Sequence, residues 1–136
     1  MPPITIETTV KNKMKTVWNA WISPADITNW CFASDDWEAP FAENDLRVGG
    51  TFKTTMAAKD GSMSFDFAGT YTQVVEHELI VYKLDDGRQV KIQFIDTADG
   101  IQVIETFDPE KSNSEEMQKQ GWQAILNNFK KYAQGK

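Results

Sequence analysis

From Gly50 onward, apolar residues recur at every second position. "TFKTTMAA", "MSFDFAGTYTQVVE", "LIVYKL", "QVKIQFID" and "IQVIETFD" each carry the period of a half-buried strand. Asp60-Gly61, Asp86-Gly87 and Asp99-Gly100 stand between them as hairpin turn signals, and "VVEHEL" makes a further tight connection. Successive hairpins of this kind give an antiparallel meander. Upstream, "ITIETTV" alternates Ile4, Ile6, Thr8 and Val10 against Thr5, Glu7 and Thr9, which predicts another strand. The spacing then changes: Met14, Val17, Trp18 and Trp21 in "KMKTVWNAWI" fall on one helical face. Pro24 suits the first position of a second short helix over "PADITNWC". "FASDDWEAPFAENDLRVGG" reads as loop with a short strand near Trp37.

"DPEKSNSEE" ends the sheet and predicts Ser112 or Asn113 as the cap of a final helix, with Glu115 or Glu116 closing a capping box. That helix, "EEMQKQGWQAILNNFKKY", holds Gly121 in its middle, where Gly costs roughly 1 kcal/mol relative to Ala. With Gly121 placed at 0° and about 100° per residue, Tyr132, Ile125, Gln118, Phe129, Trp122 and Leu126 follow between roughly 20° and 140°, with Met117 near 320°. So wide an apolar arc needs a second flanking element or a sheet that curves around it. Gly121 lies inside the arc, which predicts close approach of the helix to a strand with Trp122 wedged to one side. The alternative is that the gap belongs to an internal cavity. The order strand, two helices, about six strands, long helix gives an α+β chain forming one domain, 1–136.

Eight Phe, five Trp and three Tyr in 136 residues favour a core with large, shaped walls. A net charge of −6 argues against nucleic acid and anionic lipid as partners, since both demand a basic face. The lone Cys31 precludes an intrachain disulfide and fits a small buried hydrophobe in a reducing compartment. No secretory leader or membrane-length apolar run is legible, so a cytoplasmic location is expected. His77, the single histidine, sits in a turn, which argues against a multi-histidine metal site or a hydrolytic triad. No phosphate loop or dinucleotide fingerprint occurs, and no cofactor is expected.

The strand alternation assigns inward faces. Phe65, Phe67, Gly69, Tyr71, Gln73 and Val75 share one; Phe52, Thr54 and Met56 another; Val90, Ile92 and Phe94 a third; Ile101, Val103, Glu105 and Phe107 a fourth. These positions either fill a solid core or line a pocket facing Met117, Gly121, Trp122 and Ile125. Three polar residues fall in the inward phase: Glu105, Gln73 and Gln118. A buried carboxyl at Glu105 could bind a ligand or serve as an acid or base; it could equally sit at a rim or bulge, or pair with Arg88 or Arg47. Tyr71 could present its hydroxyl to the same space or bond to backbone. Arg47 in "DLRVGG" is expected to pair with Asp45 or another acid and so fix the loop, in preference to binding an anion.

"VWNAWISPADITNW", "NDLRVGGTF", "FAGTYTQV", "DGRQVKIQF", "ETFDPE" and "QGWQAILNNFKKY" together, in this order over nearly the whole chain, resemble the bacterial stand-alone members of the activator of heat-shock-protein-ninety ATPase homologue family. That family belongs to the START-like superfamily. The resemblance implies a helix-grip fold: a strongly curved antiparallel sheet of six to seven strands around a long C-terminal helix, with two short helices after the first strand. It also implies a cavity for apolar ligands, with Trp30 and Phe32 near its mouth. The extra N-terminal domain of the eukaryotic co-chaperones has no room here, which weakens the case for chaperone activation.

Three functional expectations follow. The first is binding of a small apolar or amphipathic molecule, by a monomer or homodimer, against Trp30, Phe32, Phe52, Met56, Phe65, Phe67, Tyr71, Phe94, Glu105, Phe107, Gln118, Gly121, Trp122 and Ile125. The second is an interaction protein, such as a chaperone partner, which predicts an exposed patch and no useful cavity. The third is a cavity enzyme using Glu105 or Tyr71.

Overall fold

The computed structural model describes residues 2–136. Among them, strand β1 (Ile4–Val10) leads into helix α1 (Met14–Ile22) and the single-turn α2 (Pro24–Ile27). Strands β2 (Trp37–Asn44), β3 (Thr51–Ala58), β4 (Ser64–Val75), β5 (Leu79–Leu84), β6 (Gln89–Thr97) and β7 (Gly100–Phe107) follow, then helix α3 (Glu115–Gln134). The strands form one antiparallel sheet in the order β1-β7-β6-β5-β4-β3-β2, so the meander runs unbroken and β1 closes on β7. The expected α+β helix-grip architecture is present, and the strand near Trp37 is eight residues long.

The three Asp-Gly pairs sit in turns, and their glycines adopt φ of 79°, 92° and 133°, a region closed to most side chains. "PADITNWC" is helical only to Ile27; residues beyond it form turns. The cap of α3 is Ser114, whose hydroxyl accepts from Met117 N at 3.1 Å, rather than Ser112 or Asn113. Arg47 pairs with Asp45 at 2.9 Å as expected.

Two departures reset the interior. The first is a bulge in β4: Tyr71 opposes Tyr82, but Gln73 opposes Val81. The extra residue inverts the phase, so Gln73 and Val75 are exposed and Val74 packs on the core. The second concerns α3. Its buried residues are Gln118, Leu126, Phe129 and Ala133, centred about 100° around the helix from Gly121. Met117, 63 % exposed, lies outside that stripe. Gly121 therefore stands on the flank of the buried face. A Cβ added there would meet nothing within 4 Å, so the predicted close approach to a strand does not occur.

The interior is filled most densely where α1 lies between β6 and α3. Trp21 and Trp30 both meet Phe129 edge-on at 4.8 Å between ring centroids, and Trp18 meets Phe94 at 5.1 Å. Val10, Val17, Val103 and Phe129 have no solvent exposure.

Candidate functional site

Toward the other end of α3, the helix backbone stays near β1 and the concave face of β3–β5 is covered by side chains. Trp122 stacks on Phe107, with ring centroids 4.0 Å apart and planes 9° off parallel. The same indole meets Phe67 edge-on at 5.8 Å. Beyond it lies a chamber of about 280 Å³. Its walls include Trp21, Ile27, Trp30 and Cys31 from the helical end, and Trp122, Ile125 and Leu126 from α3. The sheet contributes Asn44, Phe52, Thr54, Met56, Phe65, Phe67, Tyr71, Ile80, Tyr82 and Glu105, while Glu43, Arg88 and Glu110 complete the lining.

Gly69 shapes this space. A Cβ there would lie 2.6 Å from the Lys83 carbonyl oxygen and 3.0 Å from Phe52 Cε1, so only glycine lets the Phe52 ring lie over β4. Phe52 then meets Tyr82 at 4.6 Å and Tyr71 at 5.3 Å. Trp30 is fixed by its indole N–H, which donates to the Ala20 carbonyl at 2.9 Å, and Asn128 of α3 donates to the Trp30 carbonyl at 2.9 Å.

Of the residues anticipated from sequence, the chamber brings together Trp30, Phe52, Met56, Phe65, Phe67, Tyr71, Glu105, Trp122 and Ile125. Five stand elsewhere. Phe32 lines a separate, more open groove of about 290 Å³ with Asp35, Ala124 and Lys131. Phe94 is on the inward face but packs into the solid end against Trp18 and Trp21. Phe107 is sealed beneath Trp122. Gln118 is buried and fully engaged: its Oε1 accepts from Glu110 N at 2.7 Å, and its Nε2 donates to the Glu110 and Asn113 carbonyls at 3.1 and 2.9 Å. It ties the β7–α3 connection to the helix. Gly121 presents no atom to the wall.

Tyr82, Ile80 and Asn44 were missed. In "LIVYKL" four of the first five positions and the last are apolar or aromatic, so alternation gives no phase. Asn44 ends β2 and matters through Tyr71, whose hydroxyl donates to Asn44 Oδ1 at 2.6 Å while Asn44 Nδ2 donates to the Ile22 carbonyl at 2.7 Å. The Tyr71 hydroxyl is thus committed to a side chain, and burial raises its pKa.

Glu105 is the one buried carboxyl side chain among the described residues. Its cross-strand neighbours are Ile6 and Ile92, and it is 6 % exposed. Burial alone pushes its carboxyl up to about 8, with no cation or hydrogen bond to offset it. Arg88 and Arg47, its anticipated partners, are engaged by Asp86 and Asp45 instead. Burial likewise pushes the Cys31 thiol up to about 12, and Glu105 adds to the shift. The Tyr82 phenol is also held well above its ordinary value, first by burial and then by Glu105. All three are therefore uncharged at neutral pH. Among the described residues, no group of three or more His, Cys, Asp or Glu is placed to hold a metal ion, and no helix is long and apolar enough to cross a membrane.

Comparison with known proteins places this architecture. No curated protein sequence matches the chain. The solution structure of an AHSA1-like protein from Aeromonas hydrophila is similar, with 44 % identity and a TM-score of 0.92, over 98 % of this chain and 92 % of that one. A Cytophaga hutchinsonii protein is 54 % identical with a TM-score of 0.84 over the same shares. A Nitrosomonas europaea protein at 17 % identity and a TM-score of 0.85, covering 98 % of this chain and 95 % of that one, shares the fold. Residues 11–134 match the family described as "Activator of Hsp90 ATPase homolog 1-like protein", and the chain belongs to that family.

Proposed function

We propose that this protein binds a small apolar or amphipathic molecule in the chamber between β3–β5, β7 and α3. The observation that carries this reading is a space of about 280 Å³, walled by aromatic rings, in a protein whose other end is tightly filled. Ligand sites are typically mostly apolar with a few placed polar groups, at about 300–1,000 Å³. At about 280 Å³ the chamber falls just below this range, which favours a compact guest over a long-chain lipid. An interaction protein working through its outer surface has no need of this space. For the enzyme reading, Tyr71 is already engaged by Asn44, which leaves Glu105 as the acid or base within reach of a guest.

Native mass spectrometry of protein purified gently from its own host tests the reading. A non-covalent adduct is expected, lost in Ile125→Trp, which fills the wall from α3. Bare protein mass, together with no uptake of small apolar probes by the unaltered chain, would overturn it.

A further inference from the structure

Polar atoms sealed inside this protein are satisfied: among the described residues, no enclosed side-chain nitrogen or oxygen lacks a hydrogen-bond partner. Gln118 illustrates the rule with three bonds. The Glu105 carboxyl makes no hydrogen bond to any described residue, so its oxygens are not sealed in but open onto the chamber that it lines. A carboxyl facing an apolar chamber in this way is left to bond water or a guest, a group the protein itself does not supply.

We propose that the guest carries an uncharged acceptor oxygen, such as a ketone carbonyl, on its apolar body, and that Glu105 donates the hydrogen bond that holds it. This rests on the ligand-binding reading above.

The charges around the chamber select that head group. A carboxyl buried without a cation, with its pKa at about 8, is protonated at neutral pH and offers an O–H. Of the titratable groups on the facing walls, the Tyr82 phenol is the other O–H with no hydrogen-bond partner among the described residues, and the Glu105 variants below tell the two donors apart. Cys31 and Tyr82 are uncharged, Tyr71 is committed to Asn44, and Arg88 is paired with Asp86. Glu43 and Glu110 add only acidic charge, while α3 presents Trp122, Ile125 and Leu126. An anionic head would meet Glu43 and Glu110 on a chain of net charge −6. A cationic head would have to ionise Glu105 and hold a desolvated ion pair among aromatic rings, where desolvation can exceed the Coulombic gain. A carbonyl oxygen meets neither penalty. The arrangement has a chemical precedent in carboxylic acids kept neutral by apolar sites so that they donate to a carbonyl.

Three matched probes separate the possibilities: naphthalene, acetylnaphthalene and naphthylmethylammonium, titrated at about pH 6 by NMR. Acetylnaphthalene is expected to bind about tenfold more tightly than naphthalene, the factor that a single good hydrogen bond supports. Glu105→Gln, which still donates, keeps most of that preference; Glu105→Leu binds the two equally. In the unaltered protein, raising the pH to about 9.5 erases the ketone's advantage while leaving naphthalene binding in place, a readout independent of how any variant folds. Equal binding of ketone and naphthalene by the unaltered protein, or tighter binding of the ammonium probe, would overturn the proposal and leave the chamber reading standing. If none of the three binds, the chamber reading itself fails and the proposal with it.

Discussion

The two ends of this interior are built from the same kinds of side chain and come out differently. Around Phe129, rings from α1, the following loop, β6 and α3 meet with centroids 4.8–6.0 Å apart, and Val10, Val17 and Val103 close the gaps. Around Tyr82 the rings also meet, at 4.6–6.2 Å, yet a space of about 280 Å³ remains. Aromatic content is not what distinguishes the ends. At the filled end α1 packs against both β6 and α3; at the other it contributes only Trp21 to the wall, and side chains cover the rest of the concave face. A concave sheet covered by one helix leaves room unless a second element enters it, and here the second helix enters at one end only.

That contrast can be tested by unequal damage. Phe129→Ala removes a fully buried ring from the filled end and should cost about 3–5 kcal/mol in urea unfolding. Phe67→Ala removes a half-buried ring already bordering space and should cost about 1 kcal/mol. Equal costs would mean that the chamber is closed in solution.

The second effect depends on pH. Glu105 has a reference pKa of 4.5 and is raised to about 8 in the fold, so between these values the folded state binds more protons than the unfolded chain. Its contribution to stability is greatest below about 4.5, falls as pH rises, and levels off above about 8. Relative to Glu105→Gln, the unaltered protein should lose roughly 2 kcal/mol between about pH 6 and 7.5. Parallel pH profiles would show that the carboxyl is solvated or paired.

Smaller changes follow at the chamber's edges. Tyr71→Phe should cost about 1 kcal/mol by leaving Asn44 Oδ1 without its donor. Gly121→Ala should stabilise the protein by up to about 1 kcal/mol, because the helix gains propensity and the new methyl meets nothing within 4 Å. A destabilised Gly121→Ala would restore the close-approach reading.

Much of this was legible in the chain. Turn glycines and alternating faces specify the meander, and the inward phases of β3, β6 and β7 are as the pattern predicts. Alternation stops being informative at two places. A bulge after Tyr71 shifts the phase without interrupting the apolar rhythm, so Gln73 looks inward and is not. The nearly all-apolar β5 hides Tyr82. Phase also says which face a residue occupies and not its distance from the helix, so Phe94 and Phe107 share the correct face yet lie in filled regions. On α3 the broad apolar arc enclosed Gly121 because Met117 counted toward it; with Met117 exposed, the buried stripe is centred about 100° from Gly121 instead of about 50°. Glu105 was visible as a polar residue in an apolar phase, whereas its lack of a partner depends on where Arg47 and Arg88 find theirs.

The contrast between the ends can be read in one spectrum. Titrating the methyl-labelled protein with acetylnaphthalene should produce saturable shifts at Met56, Ile80 and Ile125 of the chamber, with Val10, Val17 and Val103 of the filled end unmoved. Shifts scattered over exposed methyls, or a linear response that never saturates, would contradict the claim that this chamber is a binding site.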